Sequence, residues 1–186
     1  MDQHRMAVVI GILVILIIVI AVIAFINSRR RRRLQVRERF GPEYDRVLKR
    51  EGDPRKADGV LEFRQKRRSR YKIHALSAAD RASFAVRWDE VQKRFVEDPR
   101  AAVTVADSLI TGVMQARGYP IGEFETRAED LSVDYPQIVE NYRAAHEIAM
   151  RHTTGKATTE ELRQAMVHYQ LLFQELLAEH SVRRGA

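Results

Sequence analysis

The apolar residues of this chain follow two patterns, and the first is one continuous run near the beginning. Residues 6–26 read MAVVIGILVILIIVIAVIAFI and hold no charged side chain over 21 positions. As a helix, this run would be roughly 31 Å long, close to the roughly 30 Å hydrocarbon core of a bilayer. Because backbone groups in lipid must bond within their own segment, the run predicts a transmembrane helix at residues 6–27. A buried helix of a soluble domain is disfavoured, since the run has no polar stripe.

Elsewhere the apolar residues recur every three or four positions, which is typical of amphipathic helices. The clearest example lies near the end of the chain and comprises Leu162, Met166, Tyr169, Phe173 and Leu176. A second example comprises Phe84, Trp88, Val91 and Phe95. No segment alternates apolar and polar residues for long enough to predict a strand. The predicted fold is therefore all-α, with an N-terminal single transmembrane helix followed by a cytoplasmic antiparallel helical bundle.

Capping residues and prolines predict where the helices begin. The predicted starts follow Gly41, Asp53, Ser77, Asp98 and Thr158, the last forming a capping box with Glu161. Between residues 118 and 136 the pattern is least helical. There we expect one or two turns over residues 123–130, and then a helix that starts near Pro136 with Ser132 or Asp134 as its cap. The predicted organisation is an external tail at 1–5, the transmembrane helix at 6–27, a basic juxtamembrane stalk at 28–73 and the bundle at 74–186.

The charges that flank the apolar run predict its orientation. Directly after it come Arg29, Arg30, Arg31, Arg32 and Arg33, whereas Arg5 is the only arginine before it. The positive-inside rule then places the N-terminus outside and the C-terminal domain in the cytoplasm. A cleaved signal peptide is the main alternative. It is disfavoured because the apolar core is too long and the basic cluster lies on the wrong side of it.

Net charge changes along the chain in the same direction. The total is +7, of which residues 1–33 carry +5 and residues 34–72 carry +6, while residues 73–186 carry −4. A protein that stands on an anionic inner leaflet would show this gradient. The candidate lipid contact is the basic segment Lys66, Arg67, Arg68, Arg70 and Lys72, and the alternative is a solvated helix face. Nucleic acid is disfavoured as a partner, because the basic charge is not concentrated on the folded domain.

Aromatic residues and prolines are concentrated around the irregular segment 118–136. One interpretation is that the loop is held on the bundle by its own apolar side chains. The other is a groove for an unidentified protein partner. The candidate groove residues are Tyr119, Pro120, Ile121, Phe124, Leu131, Tyr135 and Tyr142.

Sequence motifs for catalysis are weak. There is no cysteine, which excludes thiol catalysis and thiolate metal sites. His146-Glu147 begins like a zinc-protease motif, but position 150 is Met150, where that motif needs its second histidine. We therefore expect no catalytic residues, no metal and no cofactor, and a non-catalytic interaction or scaffold domain. The alternative is an enzyme of unknown type whose site combines Glu123, Asp130, Asp134 and His146.

Several short stretches resemble a known group of sequences. They are FGPEY at 40–44, Trp88 with Phe95, Val96 and Asp98, RGYP at 117–120, DLSVD at 130–134 and NYRAAH at 141–146. Together these are similar to a family of uncharacterised bacterial proteins, membrane-anchored or free, that are all-helical and have no assigned activity. The resemblance covers nearly all of the part after the apolar run. It implies a helical architecture and a bacterial source, and it implies no chemistry.

Overall fold

The computed structural model describes residues 2–153 and 155–178; for residues 2–12, 14, 15, 29, 30 and 32 it describes the backbone alone. These residues form eight helices and no strand, so the all-α prediction is confirmed for the described part of the chain. The chain divides into two compact units, Met1–Arg39 and Phe40–Ala186.

The first unit consists of one long helix, α1 (Asp2–Phe40), whose last residue belongs to the second unit. The described apolar side chains at positions 13 and 16–26 are exposed, among them Leu16, Ile20 and Phe25, and so are Arg31 and Arg33. Counted over the residues that the structure describes, none of the helices has both the length and the apolar character needed to cross a membrane. Part of the predicted span, residues 6–12, 14 and 15, has side chains outside that description, as do Arg29, Arg30 and Arg32. The transmembrane helix therefore stays a prediction.

The second unit contains the other helices: α2 (Pro42–Glu51), α3 (Pro54–Arg68), α4 (Ala78–Glu97), α5 (Pro99–Ala116), α6 (Phe124–Asp134), α7 (Val139–Thr153) and α8 (Thr159–Leu177). The main packing pairs are α4 with α5, α5 with α8 and α7 with α8, while α2 packs on α3 and α3 packs on α6. The unit is a helical bundle, as predicted.

Four predicted caps are present at the helix starts. The Asp53 carboxylate accepts hydrogen bonds from two backbone N–H groups of α3, and Ser77 and Asp98 each accept one at α4 and α5. At α8, Thr158 and Glu161 form the complete reciprocal capping box. Each cap satisfies backbone donors that the first helical turn leaves unpaired, so these residues determine where their helices begin.

The core follows the predicted apolar stripes. The ring of Trp88 in α4 stacks on Phe173 in α8, with centroids 4.6 Å apart. All five residues of the α8 stripe are buried, and in α4 Phe84, Trp88 and Val91 are buried while Phe95 is half-buried. Burial of such large rings contributes much of the core's apolar surface, so α4, α5 and α8 form the stable centre of the bundle.

Within residues 123–138, the predicted end of the first helix and the predicted start of the second are wrong. Helix α6 is longer than two turns and continues to Asp134, while α7 begins at Val139 rather than near Pro136. Ser132 is fully buried inside α6 and donates to the Glu129 carbonyl, so neither Ser132 nor Asp134 caps α7. The cause is tertiary, because α6 buries Ala128 and Leu131 and packs on α3.

Residues 40–73 do not form a stalk separate from the bundle. Phe40, Tyr44 and Val47 are buried, as are Ala57 and Leu61 of α3, and the unit boundary lies between Arg39 and Phe40. The predicted domain boundary at 73/74 is therefore replaced by one at 39/40. Helices α2 and α3 belong to the folded domain, and the basic residues of α3 must be considered as part of it.

Candidate functional site

The basic segment 66–72 is divided by the fold into two groups. Arg67 donates from Nε to Asp130 at 2.7 Å and from Nη2 to Glu129 at 3.0 Å. Arg68 donates from Nε to Asp134 at 2.6 Å. These two arginines are thus bound to α6, whereas Lys66, Arg70 and Lys72 are exposed. A lipid contact by the segment stays a prediction, and only the three exposed residues are available for it.

A buried carboxylate lies at the centre of the same network. Glu43 of α2 is fully buried and accepts from Arg64 of α3 at 2.6 Å and from Arg143 of α7 at 2.7 Å. Arg64 is itself 1% exposed and also donates to Glu129 at 3.0 Å. Charges this deeply buried are stable only when they are paired, so this cluster fastens α2, α3, α6 and α7 to one another.

The environment of this network changes the titration of its members. Burial tends to raise the pKa of Glu129, but the positive charges of Arg64 and Arg67 and their hydrogen bonds outweigh burial and lower it. The Tyr119 hydroxyl donates to Asp134. Burial, followed by the charge of Asp134, raises the pKa of Tyr119, so that its hydroxyl stays protonated and remains a donor. The arrangement suits structural ion pairing rather than proton transfer.

Sequence reasoning missed this network because it considered Asp134 as a cap for α7 and Asp130 as a member of the enzyme alternative, and it paired neither with an arginine. The available signal was the spacing of Arg64, Arg67 and Arg68, which places three guanidinium groups along one side of α3. On α6, Asp130 and Asp134 are four residues apart and therefore lie on one side of that helix, with Glu129 next to Asp130. The spacing alone could not identify the partner helix.

The candidate groove residues are mostly part of the core. Tyr119, Leu131, Tyr135 and Tyr142 are buried, and Phe124 is half-buried. Pro120 and Ile121 alone among the seven are exposed, with Ile121 49% accessible. The burial of these four side chains favours the interpretation in which the segment is held on the bundle by its own apolar residues. A protein partner at this loop stays a prediction, and among the candidate groove residues only the exposed Pro120 and Ile121 could readily contact it.

A second polar cluster lies between α5, α6, α7 and α8. Asp107 accepts from the Tyr169 hydroxyl at 2.8 Å, and Nδ1 of His146 lies 3.7 Å from Asp107, beyond hydrogen-bonding distance. The His146 ring is stacked on Phe124 with centroids 3.5 Å apart. Burial tends to raise the pKa of Asp107, but its neighbours His146 and Tyr169 outweigh burial and lower it. Asp107 is therefore an ionised acceptor that orders the surrounding side chains.

The four residues of the enzyme alternative have different partners and do not form one site. Asp130 and Asp134 are bound to arginines of α3, His146 lies beside Asp107 and Phe124, and Glu123 is exposed before α6. Within the described residues there is also no group of three or more His, Asp or Glu side chains that could hold a metal ion. The polar side chains described above make ion pairs and hydrogen bonds.

No family model, curated protein or solved structure matches this chain. The resemblance to a bacterial helical family therefore stays a prediction. Three of the residues that carry the resemblance have structural roles, because Glu43, Asp130 and Arg143 belong to the ionic network.

Proposed function

We propose that this chain is a single-pass protein of the bacterial inner membrane, in which residues 6–27 of α1 cross the bilayer. The helical domain that begins at Phe40 would then be a non-catalytic interaction or scaffold domain held at the cytoplasmic face. The observation that carries this proposal is the run of 21 uncharged residues within one helix, whose described apolar side chains are exposed. Exposed apolar surface of this extent needs lipid or protein to cover it.

The arginines after the run support the proposed orientation. Arg29 to Arg33 would lie at the cytoplasmic interface, where basic residues are retained and where anionic headgroups stabilise them. The N-terminal tail carries only Arg5 and Asp2, so its charge opposes translocation weakly.

Several acidic side chains of the domain are hydrogen-bonded to arginines within the fold, which supports a non-catalytic role for the domain. Glu43, Glu129 and Asp130 accept hydrogen bonds from arginines within the fold. A general acid or base must instead be free to reach a substrate proton. The domain is therefore better suited to presenting a rigid surface than to performing a reaction.

Alkaline carbonate extraction of bacterial membranes tests the anchor. We expect the wild-type chain to stay in the membrane pellet, and a Leu13→Arg, Ile17→Arg, Ile20→Arg variant to be released. The reason is that each central arginine costs about 2.5–3.5 kcal/mol on insertion. A matched control places three arginines at exposed apolar positions of the domain, Val86, Val96 and Val105. Release of the wild-type chain would reject the anchor.

Single cysteines test the orientation, because the natural chain has none. In intact spheroplasts, a membrane-impermeant thiol reagent should label Gln3→Cys but should label Glu62→Cys only after lysis. Both positions lie outside the proposed span. The reverse pattern of labelling would contradict the cytoplasmic placement of the domain.

A further inference from the structure

The outward side of α3 combines basic residues with one protruding aromatic ring. The inward side of this helix buries Ala57, Leu61 and Arg64. On the opposite side, Phe63 is 63% exposed, and it is the one aromatic residue among the exposed large apolar side chains described in the second unit. The guanidinium of Arg67 lies 5.8 Å from the centroid of this ring. A single exposed apolar residue is common on a folded domain, so Phe63 carries the argument only together with the basic residues around it.

Positive charge surrounds Phe63 on the same side. Arg55, Lys56, Lys66 and Arg70 are exposed in or directly after α3. The acidic residues of this helix are Asp58, which accepts a hydrogen bond from Tyr44 at 3.1 Å, and the exposed Glu62. The face therefore carries a clear excess of positive charge around an apolar centre.

An open cleft beside the ring gives this face room for a ligand surface. The cleft has a volume of about 530 Å³ and runs along Lys56, Gly59, Val60 and Phe63 towards α2 and α6. A Cβ atom at Gly59 would have no heavy atom within 4 Å. The two carboxylates at the edge of the cleft are already paired, Glu51 with Arg50 and Glu129 with Arg64. They therefore do not cancel the charge of the exposed lysines.

We infer that this outer face of α3 rests on the anionic surface of the membrane. Phe63 enters the headgroup region, and Lys56, Lys66 and Arg70 contact lipid phosphates. The inference rests on the proposed function, since the anchor would confine the domain to the neighbourhood of the inner leaflet. Basic residues are attracted to anionic lipid, and an apolar ring gains from entering the interface between them.

The combination of an exposed apolar ring with basic residues favours a membrane over another polyanion as the ligand of this face. Phosphate contacts alone would need only the basic residues. The ring contact recorded for Phe63 among the described residues is with the Arg67 guanidinium, and none of the described aromatic pairs includes Phe63, whereas single-stranded nucleic acid recognition uses successive stacking rings. Arg67 and Arg68 are excluded from the contact because α6 already binds them.

Fluorescence of the full-length chain in reconstituted vesicles tests the inference. The thiol-reactive dye NBD is attached to Gly59→Cys, which adds a side chain into open space on this face. The same dye on Val96→Cys, at a residue 84% exposed on α4, is the control. In vesicles of phosphatidylcholine with phosphatidylglycerol, the emission at position 59 should shift to shorter wavelength and should be quenched by lipid that carries a nitroxide spin label on its headgroup. Position 96 should show neither effect.

Charge and ring variants identify the groups that make the contact. Lys56→Gln, Lys66→Gln and Arg70→Gln together should abolish the shift at position 59, and Phe63→Ser should abolish the quenching. Lys93→Gln, Arg100→Gln and Arg163→Gln remove the same charge elsewhere and should leave both signals intact. Equal loss with the control triple would overturn the inference, because it would indicate a general effect of net charge.

Two further outcomes separate this inference from the anchor on which it rests. If the chain floats with the vesicles but position 59 gives the same emission with and without phosphatidylglycerol, the α3 contact is rejected while the anchor stands. If heparin shifts the emission at position 59 in vesicles of phosphatidylcholine alone, the face binds soluble polyanions and the membrane is not its ligand. If the chain does not float with either vesicle, the anchor fails and the α3 contact fails with it.

Discussion

Arg143 donates two hydrogen bonds to Glu43, at 2.7 and 3.2 Å, although the two residues are 100 positions apart in the chain. The pair joins α7 to α2, and Arg64 binds the same carboxylate from α3. Because all three side chains are at least 90% buried, none can replace a lost partner with bulk water. The relationship makes Glu43 the residue on which the docking of α2 and α3 depends.

Glu43→Gln should destabilise the domain strongly. The change removes the buried carboxylate that Arg64 and Arg143 share and leaves each with only its more exposed carboxylate partner, on α6 and α7 respectively. The cost should approach the roughly 3–5 kcal/mol that breaking a buried pair costs. Urea denaturation followed by the fluorescence of Trp88, which stacks on Phe173 in the core, measures the free energy of unfolding.

Glu51→Gln is the matched control for this change. Glu51 is on the same helix and pairs with the half-exposed Arg50 at 2.9 Å, so its loss should change stability by less than about 1 kcal/mol. Similar free energies of unfolding for the two variants would contradict the assigned role of Glu43.

Acid should weaken the contact between α3 and α6. The pKa of Glu129 is lowered from its ordinary value of 4.5 in the folded state, despite burial, because Arg64 and Arg67 stabilise its charge. Its contribution to stability is therefore complete above pH 4.5 and is lost as pH falls through the lowered folded value.

Urea midpoints measured between about pH 6 and about pH 3 check this dependence. Glu129→Gln should flatten the fall in midpoint across the acid range. Glu125→Gln, an exposed change on the same helix, should leave it unaltered. A wild-type slope in the Glu129→Gln variant would show that other carboxylates control the acid response.

The features that the sequence predicted correctly depend on residues that are close together in the chain. The caps at Ser77, Asp98 and Thr158 act on backbone groups only three residues away, and the α8 stripe repeats within one helix. Contacts of this range are present in any short segment, so reading the chain in order is sufficient to find them.

The ionic network was beyond local signals. Arg67 is 63 positions from Asp130, and Arg68 is 66 positions from Asp134. Arginine side chains are usually exposed, whereas Arg64 and Arg117 are each only 1% exposed in this fold, so their residue type did not indicate burial. The end of α6 was misplaced for the same reason, because contacts with α3 and not the turn propensity of Ser132 decide it.

Tyr169→Phe should destabilise the domain through Asp107. The Tyr169 hydroxyl donates to Asp107 at 2.8 Å, and a hydrogen bond to a charged group contributes about 1.5–3 kcal/mol. A double-mutant cycle with Asp107→Asn, again read from urea denaturation, isolates this pair. Additive effects of the two changes would mean that the hydrogen bond contributes nothing, whereas we expect the second change to cost less in the presence of the first.

Two glycine substitutions should change stability in opposite directions. Gly118 has a φ of 92°, and a Cβ there would lie 2.5 Å from the Lys72 carbonyl oxygen, so Gly118→Ala adds both backbone strain and a clash with backbone. We expect it to cost more than about 1 kcal/mol.

Gly59 lies inside α3 in an ordinary helical conformation with nothing within 4 Å of an added Cβ. Gly59→Ala should therefore stabilise the domain by about 0.5–1 kcal/mol, because alanine loses less backbone entropy in a helix. The two variants add the same methyl group, so the difference between their urea midpoints reports conformation and contact alone. A destabilised Gly59→Ala would mean that α3 is not a regular helix at this position, and a neutral Gly118→Ala would remove the close approach between residues 72 and 118.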